Sequence, residues 1–295
     1  MELRVLRYFV TVVAERNISK AAVRLHVSQP TVSRQLQDLE EELGVQLLKR
    51  GSRAIELTPA GEYLVHQARQ MLALADKTRE NIHQSQEISG RVLIGAAEAP
   101  MMRTVARAIH HLNQIAPKVQ VQLISTDAND VHERMQAGVF DFGVVMEPTD
   151  KAGYQFTQLP GTTRWGVLVP RQSDLGQKQL IHPADLQGQR LIVSQQYGAA
   201  ALIKDWLGTS AIQYTVAATY NLLYNASLLA TAEVGSVVCL DGIINTAGTD
   251  LIFVPFDPSL TVHASLIWPG DMPLSPAATA FLQAIRQQTA PDAFA

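Results

Sequence analysis

The sequence is short of several things at once. It holds one cysteine, Cys239, which excludes an internal disulfide and fits a reducing compartment, the cytoplasm being expected. Cys239 lies in the apolar run GSVVCL, where a core thiol is expected in preference to a redox sensor. No apolar run nears the roughly 20 residues of a membrane helix, and Glu2, Arg4 and Arg7 interrupt the N-terminus where a secretory leader would be apolar. No membrane partner is expected. Charged residues are 17% of the chain and the net charge is −3, so neither a disordered tail nor a strongly cationic nucleic-acid binder is indicated. Catalytic signatures are missing as well: there is no G-x-S-x-G elbow, no phosphate-cradling glycine loop and no H-E-x-x-H. His110 and His111 stand on an amphipathic stretch without clustered acids or cysteines, which suits surface histidines better than metal ligands. No enzyme, metal or cofactor is expected.

What is present begins with AAVRLHVSQPTVSRQLQDLE, Ala21 to Glu40, where apolar residues recur at helical spacing around a central Pro30. Proline within a helix costs about 3 kcal/mol, so two helices meeting at a turn is the better reading. Ser28 is placed to cap the second helix, Pro30 then falls in its first turn, and Gly44 closes it. Val32, Leu36, Leu39 and Leu43 define its buried face. The shorter first helix spans Lys20 to His26 with Ser19 as cap, burying Ala22, Val23 and Leu25. Upstream, Leu6, Phe9, Val10, Val13 and Ala14 share a face of another helix. The second helix leaves Gln29, Thr31, Ser33, Arg34 and Gln37 off its apolar stripe; such groups are either simply solvated or able to bond base edges and phosphates in a major groove. Residues 1–58 carry nine Lys/Arg against seven Asp/Glu, and Glu40, Glu41 and Glu42 gather at the far end of that helix. The end near Pro30 is thus the basic one. VQLLKRGSRAIELT then reads as a hairpin wing with Lys49, Arg50 and Arg53 at or near its tip.

From Thr58 and Pro59 a helix runs on without a break beyond Gly61 towards SGR at Ser89–Arg91, a linker. Leu64, Ala68, Met71, Ala75, Thr78 and Ile82 alternate spacings of four and three, a thin heptad seam that calls for a second copy of the same helix. Past Arg91, strands and helices alternate with short loops, so parallel sheets are expected. RVLIGAA, VQVQLIS, FDFGVVM, WGVLVP, RLIVSQ, QYTVAA, SVVCL and HASLIWP read as strands, and the last helix as Ser275–Gln288. Two α/β lobes with a cleft between them fit this order, and ligands collect there beyond strand ends and at helix N-termini.

The chain resembles the LysR-type transcriptional regulators. The resemblance is carried by FVTVVAERNISKAAVRLHVSQPTVSRQLQDLEEELGVQLLKRGSRAIELTPAGE, through its AA…LHVSQP…VSRQ…LE..LG..L…R…LT.AG skeleton. It continues in layout through LISTDANDVHERMQAGVFDFGVV and covers the whole chain. It implies an α/β protein with an all-α-plus-wing head: a winged helix-turn-helix over 1–58, a linker and dimerisation helix over 59–89, and a two-lobed effector domain over 90–295 resembling periplasmic binding proteins. Lobe I would take about 90–163 and 267–295, and lobe II about 164–266. It implies that Gln29, Pro30, Thr31, Ser33 and Arg34 face the major groove of double-stranded DNA, with Arg53 approaching the minor groove. It further implies a homodimer, often a homotetramer, that reads an interrupted inverted repeat, a small-molecule effector, and room for RNA polymerase as a partner. Leu48 replaces a common Phe, and Thr31 stands where a smaller residue is frequent, which bears on base preference.

The resemblance places the effector between lobes, against Glu98–Arg103, Ser125–Asn129 (with Thr126, Asp127 and Asn129) and Tyr197–Ala200 (with Gly198). Many members place a hydroxyl in the first loop; here Glu98, Ala99, Pro100, Met101 and Met102 replace it. Glu98 and Asp127 would disfavour an anion if both point inward, whereas Arg103 would favour one. A hydrophobic, aromatic or cationic effector fits as well as a carboxylate, and Met101 and Met102 also read as core packing. A transport-type binding protein would have no use for the DNA-binding head, and a purely architectural DNA protein none for the two lobes.

Overall fold

The computed structural model describes residues 1–50, 55–82, 87–196, 198–208, 212–271 and 273–289, with 50, 77 and 80–82 described by backbone alone. Two compact units are formed, Met1–His83 and Gln84–Ala295.

The first unit opens with α1 (Leu3–Glu15), α2 (Ile18–Arg24) and α3 (Gln29–Leu43). A strand pair follows, β1 (Leu48–Arg50) antiparallel to β2 (Ile55–Leu57), and then α4 (Pro59–Ile82). Leu6, Phe9, Val12, Val32, Leu36, Leu39 and Leu47 make its core. Several expected faces differ. Helix α2 is capped by Asn17, whose side chain accepts from Lys20 N at 3.0 Å, not by Ser19. Its inward stripe is Ile18, Ala21, Ala22 and Leu25, so Val23 falls off it and is 75% exposed. Ala14 of α1 is exposed, because Val5, Leu6, Phe9 and Val12 supply the buried face. Leu43 is exposed where the last turn of α3 runs past the core.

The seam on α4 needs a larger correction. Leu64 and Ala68 are buried with Val65 and Leu72 in the core of their own head, because α1 lies along the first half of α4. Arg7 and Asp76 pair at 2.7 Å and extend that contact. Only the later seam positions are turned outward: Met71 is exposed and Ala75 half-buried, while the side chain of Ile82 lies outside the described residues. Leu74, off the seam, is exposed beside Met71.

In the second unit, lobe I is built from β3 (Ser89–Ala96), α5 (Met102–Ile115), β4 (Lys118–Ser125), α6 (Ala128–Gln136), β5 (Phe142–Met146) and β6 (Tyr154–Gln158). Lobe II takes β7 (Thr163–Pro170), β8 (Arg190–Ser194), α7 (Ala199–Leu207), β9 (Thr215–Tyr220), α8 (Leu223–Thr231), β10 (Ser236–Leu240), β11 (Leu251–Pro255) and β12 (Thr261–Val262). The chain returns to lobe I with β13 (Ala264–Pro269) and α9 (Pro276–Thr289). Lobe I's sheet has the order β4-β3-β5-β13-β6 and lobe II's the order β11-β7-β10-β8-β9, with β12 on β7.

The sheets are mixed, not parallel. β3 runs parallel to β4 and β5, and β8 runs parallel to β9 and β10, but β13 and β7 are antiparallel to their neighbours. These two strands begin where the chain has just crossed between lobes, and neither has a helical crossover to restore direction. The second crossing lies before Ala264, so 264–266 belong to lobe I. Helices α5 and α9 cover one face of lobe I and α6 the other; α7 and α8 cover opposite faces of lobe II. The ends of β3, β4, β5 and β8, with the starts of α5, α6, α7 and α8, supply the residues around the cleft.

Candidate functional site

The head presents the start of α3. Ser28 Oγ accepts from Thr31 N at 3.3 Å and lies 2.7 Å from Thr31 Oγ1. This cap fixes the first turn, with Pro30 inside it. Gln29, Pro30, Thr31, Arg34 and Gln37 are exposed and Ser33 is half-buried. The Arg34 side chain makes no hydrogen bond or ion pair with another described residue, whereas that of Arg24 is held by Glu15 at 2.7 Å. The acids at the far end of α3 are partly internal: Glu40 Oε1 accepts from Leu47 N and Leu48 N at 2.8 and 3.1 Å, holding the turn into the wing. The uncapped charge and the positive end of the helix dipole therefore coincide at the start of α3. Lys49 is exposed on β1; the side chain of Arg50 and all of Arg53 lie outside the described residues. Thr58 joins wing to α4, donating to Gln46 O at 2.7 Å and accepting from Gly61 N at 3.0 Å. Gly61 admits no larger residue, since a β-carbon there would stand 2.1 Å from Leu47 O.

In the second unit the predicted effector residues divide by role. Glu98, half-buried after β3, reaches across to lobe II: its Oε2 accepts from Leu223 N at 2.9 Å. Leu223 is the first residue of α8, whose N-cap Leu222 has no polar side chain, so a carboxylate from lobe I caps a helix of lobe II. Asp127 turns to its own helix, its Oδ1 accepting from Asn129 N and Asp130 N at 2.9 and 3.0 Å. Both carboxylates are thus engaged at helix N-termini; Asp127 is turned to its own helix, while Glu98 still lines a cavity and keeps its negative charge there. Thr126 Oγ1 donates to Asp130 Oδ2 at 2.6 Å, and Asp130 also holds Arg134 at 2.7 Å. Asn129 is exposed. Met101 is buried in the lobe I core and Met102 packs partly against it. Gly198 caps α7 with φ 81°, and Tyr197 lies outside the described residues.

Glu98, Ala99, Pro100, Met102 and Arg103 line one cavity of about 330 Å³ with Ser125 and Ile243, large enough for a small metabolite. Thr126, Asp127, Asn129 and Gly198 do not line it. A narrow cavity of about 30 Å³ joins Gly198, Ala199 and Leu202 to Met146, Glu147, Trp165 and Leu240. Sequence reasoning missed those last four. Trp165 is buried, and its indole N–H finds no acceptor among the described residues. Glu147 accepts from Lys151 Nζ at 2.6 Å and Ser265 Oγ at 2.7 Å. The i, i+4 spacing of Glu147 and Lys151 was legible; Ser265, from a strand far along the chain, was not. Among the described residues no three His, Cys, Asp or Glu gather as a metal site, and no helix is long and apolar enough to cross a membrane.

Comparison with known proteins agrees with both units. Residues 3–62 match the family described as bacterial regulatory helix-turn-helix protein, lysR family, and residues 85–290 match the LysR substrate binding domain. The transcriptional regulator BenM of Acinetobacter baylyi is 37% identical over 143 residues, 48% of this chain and 47% of that protein. ClcR of Pseudomonas putida is 28% identical over 278 residues, 92% of this chain and 94% of that one. In fold, the chain superposes on the LysR family regulator CbnR with a TM-score of 0.76 at 23% identity, covering 98% of this chain and 100% of that one. CbnR complexed with its target DNA gives 0.74 at 24% identity, with the same coverage. The chain belongs to the LysR family of DNA-binding transcriptional regulators, with a helix-turn-helix head and an effector-binding domain, and not to a family of enzymes.

Proposed function

We propose that the protein acts in the cytoplasm as a homodimer or tetramer that reads an interrupted inverted repeat and changes its geometry on DNA when a small molecule enters the cleft. Gln29, Pro30, Thr31, Ser33 and Arg34 enter the major groove, and Lys49, Arg50 and Arg53 meet the backbone or minor groove from the wing. Arg34 carries this reading: it is an exposed guanidinium with no described partner, beside the positive end of α3. Pairing of protomers uses the outward residues Met71 and Leu74 of α4. The effector occupies the cavity of about 330 Å³ beside Glu98. A ligand there presses on the loop whose carboxylate caps α8, so occupancy and lobe arrangement are coupled through the Glu98–Leu223 hydrogen bond.

Thermal unfolding of the full chain against a metabolite panel tests the effector assignment. A ligand that binds only the folded state raises its midpoint with concentration. An authentic effector should also shift the protein's affinity for its own promoter fragment, and Met102→Trp, which fills the cavity, should remove both responses. A ligand whose effects survive that substitution would place the effector elsewhere.

A further inference from the structure

The geometry points to a second ligand site, for a small dianion, between Arg103 of lobe I and Arg164 of lobe II. It is separate in chemistry from the effector cavity beside Glu98. The two cavities share Pro100, Arg103 and Gly242, but the second, of about 360 Å³, replaces Glu98 with Arg164 and adds Thr162 and Thr261. Pro100 and Gly242 meet where the lobes touch: a β-carbon on Gly242 would stand 3.0 Å from Pro100 Cγ.

The charge pattern asks for an anion. Arg103, second residue of α5, is exposed, and its side chain makes no hydrogen bond or ion pair with another described residue. Arg164, second residue of β7, spends Nε on Asp241 Oδ2 at 3.3 Å, which leaves both of its Nη groups as donors. Asp241 is the acid in the lining, so the two guanidiniums exceed it by one positive charge. A guanidinium presents paired N–H groups that match a carboxylate or phosphate edge. Thr162 and Thr261 add neutral hydroxyls, whereas the hydroxyl proton of Thr163 is already donated to Asp241 O at 3.0 Å. The volume exceeds what a bare ion needs and falls within the range of small-molecule sites. Because the arginines belong to different lobes, a bound dianion links them independently of the Glu98–Leu223 hydrogen bond.

The test is calorimetric titration of the full chain with inorganic phosphate and, separately, with succinate, at constant ionic strength. Saturable binding of either ligand is expected. Arg103→Gln and Arg164→Gln should each weaken it by about tenfold or more, the size expected for losing charged hydrogen bonds. Arg164→Lys, which keeps the charge beside Asp241, should retain part of it and serves as the folding control. Phosphate alone would identify a phosphorylated ligand, succinate alone a dicarboxylate, and both a general oxyanion site. Phosphate also meets the cationic head, so binding unchanged by the two Gln variants would overturn the proposal. So would loss in Arg103→Gln alone, or no saturable heat with either ligand.

Discussion

Arg34 is the residue whose removal should separate recognition from folding. It is exposed and tied to no described neighbour, so Arg34→Ala should leave the unfolding midpoint nearly unchanged. Affinity for the specific fragment should fall by about 1–3 kcal/mol, roughly five- to 160-fold, in a titration at fixed salt. Wild-type affinity in that variant would refute the assignment of α3 as the reading helix. Glu147 makes a different kind of prediction. Burial alone would raise its pKa, but the bonds from Lys151 and Ser265 outweigh that and hold it below the ordinary 4.5. A carboxyl depressed on folding stabilises fully above its unfolded value, and that contribution disappears as pH falls through the folded value. Urea midpoints should therefore drop as pH falls below 4.5, and Glu147→Gln should show a shallower drop over the same window. Parallel profiles would mean the bond network contributes nothing. Cys239 is buried, and burial with the nearby Asp241 pushes its thiol well up, so a thiol reagent should react only as the domain unfolds.

At the scale of elements, α4 serves two masters along its length. Leu64 and Ala68 close the core of their own head, while Met71 and Leu74 look outward. Ala68→Glu should therefore destabilise the head, since a carboxylate would be buried without a partner. Leu74→Glu should leave the midpoint close to wild type and lower the mass seen by light scattering. Native mass in Leu74→Glu would exclude this face as the protomer contact. The heptad spacing alone could not assign these roles, because a thin apolar seam looks the same whether it meets α1 of its own chain or a second copy of α4. Other elements show the same boundary. The helix-turn-helix was readable because its signals are local: Ser28, Pro30 and Gly44 act within a few residues of themselves. β6, β11 and β12 were not read. β6 alternates weakly, leaving Phe156 exposed, and β12 is two residues long. The antiparallel course of β7 and β13 depends on where the chain crosses between lobes, a long-range property that no window of sequence contains. Glu98 illustrates this at the cleft, since its partner Leu223 stands far along the chain.

For the whole molecule, symmetry yields the sharpest expectation. A two-fold dimer presents two copies of α3, so its preferred DNA is an interrupted inverted repeat. Half-sites two or more whole turns apart lie at a multiple of about 34–36 Å along the duplex. Deleting five base pairs between them turns one half-site to the opposite face, and binding should collapse towards the non-specific level. Deleting ten restores the face but shortens the span, so part of the affinity should return, limited by how far the protein adjusts and how much the DNA must bend. Neutralising Arg53 should instead lower affinity for the native and the ten-pair-deleted spacing in similar proportion, because a wing contact positions the head without reading both half-sites at once. A binding titration on all three spacings at one salt concentration decides the matter. Equal affinity for all three would mean that each head binds alone, and coupling between the cleft and DNA would then need a route other than protomer geometry.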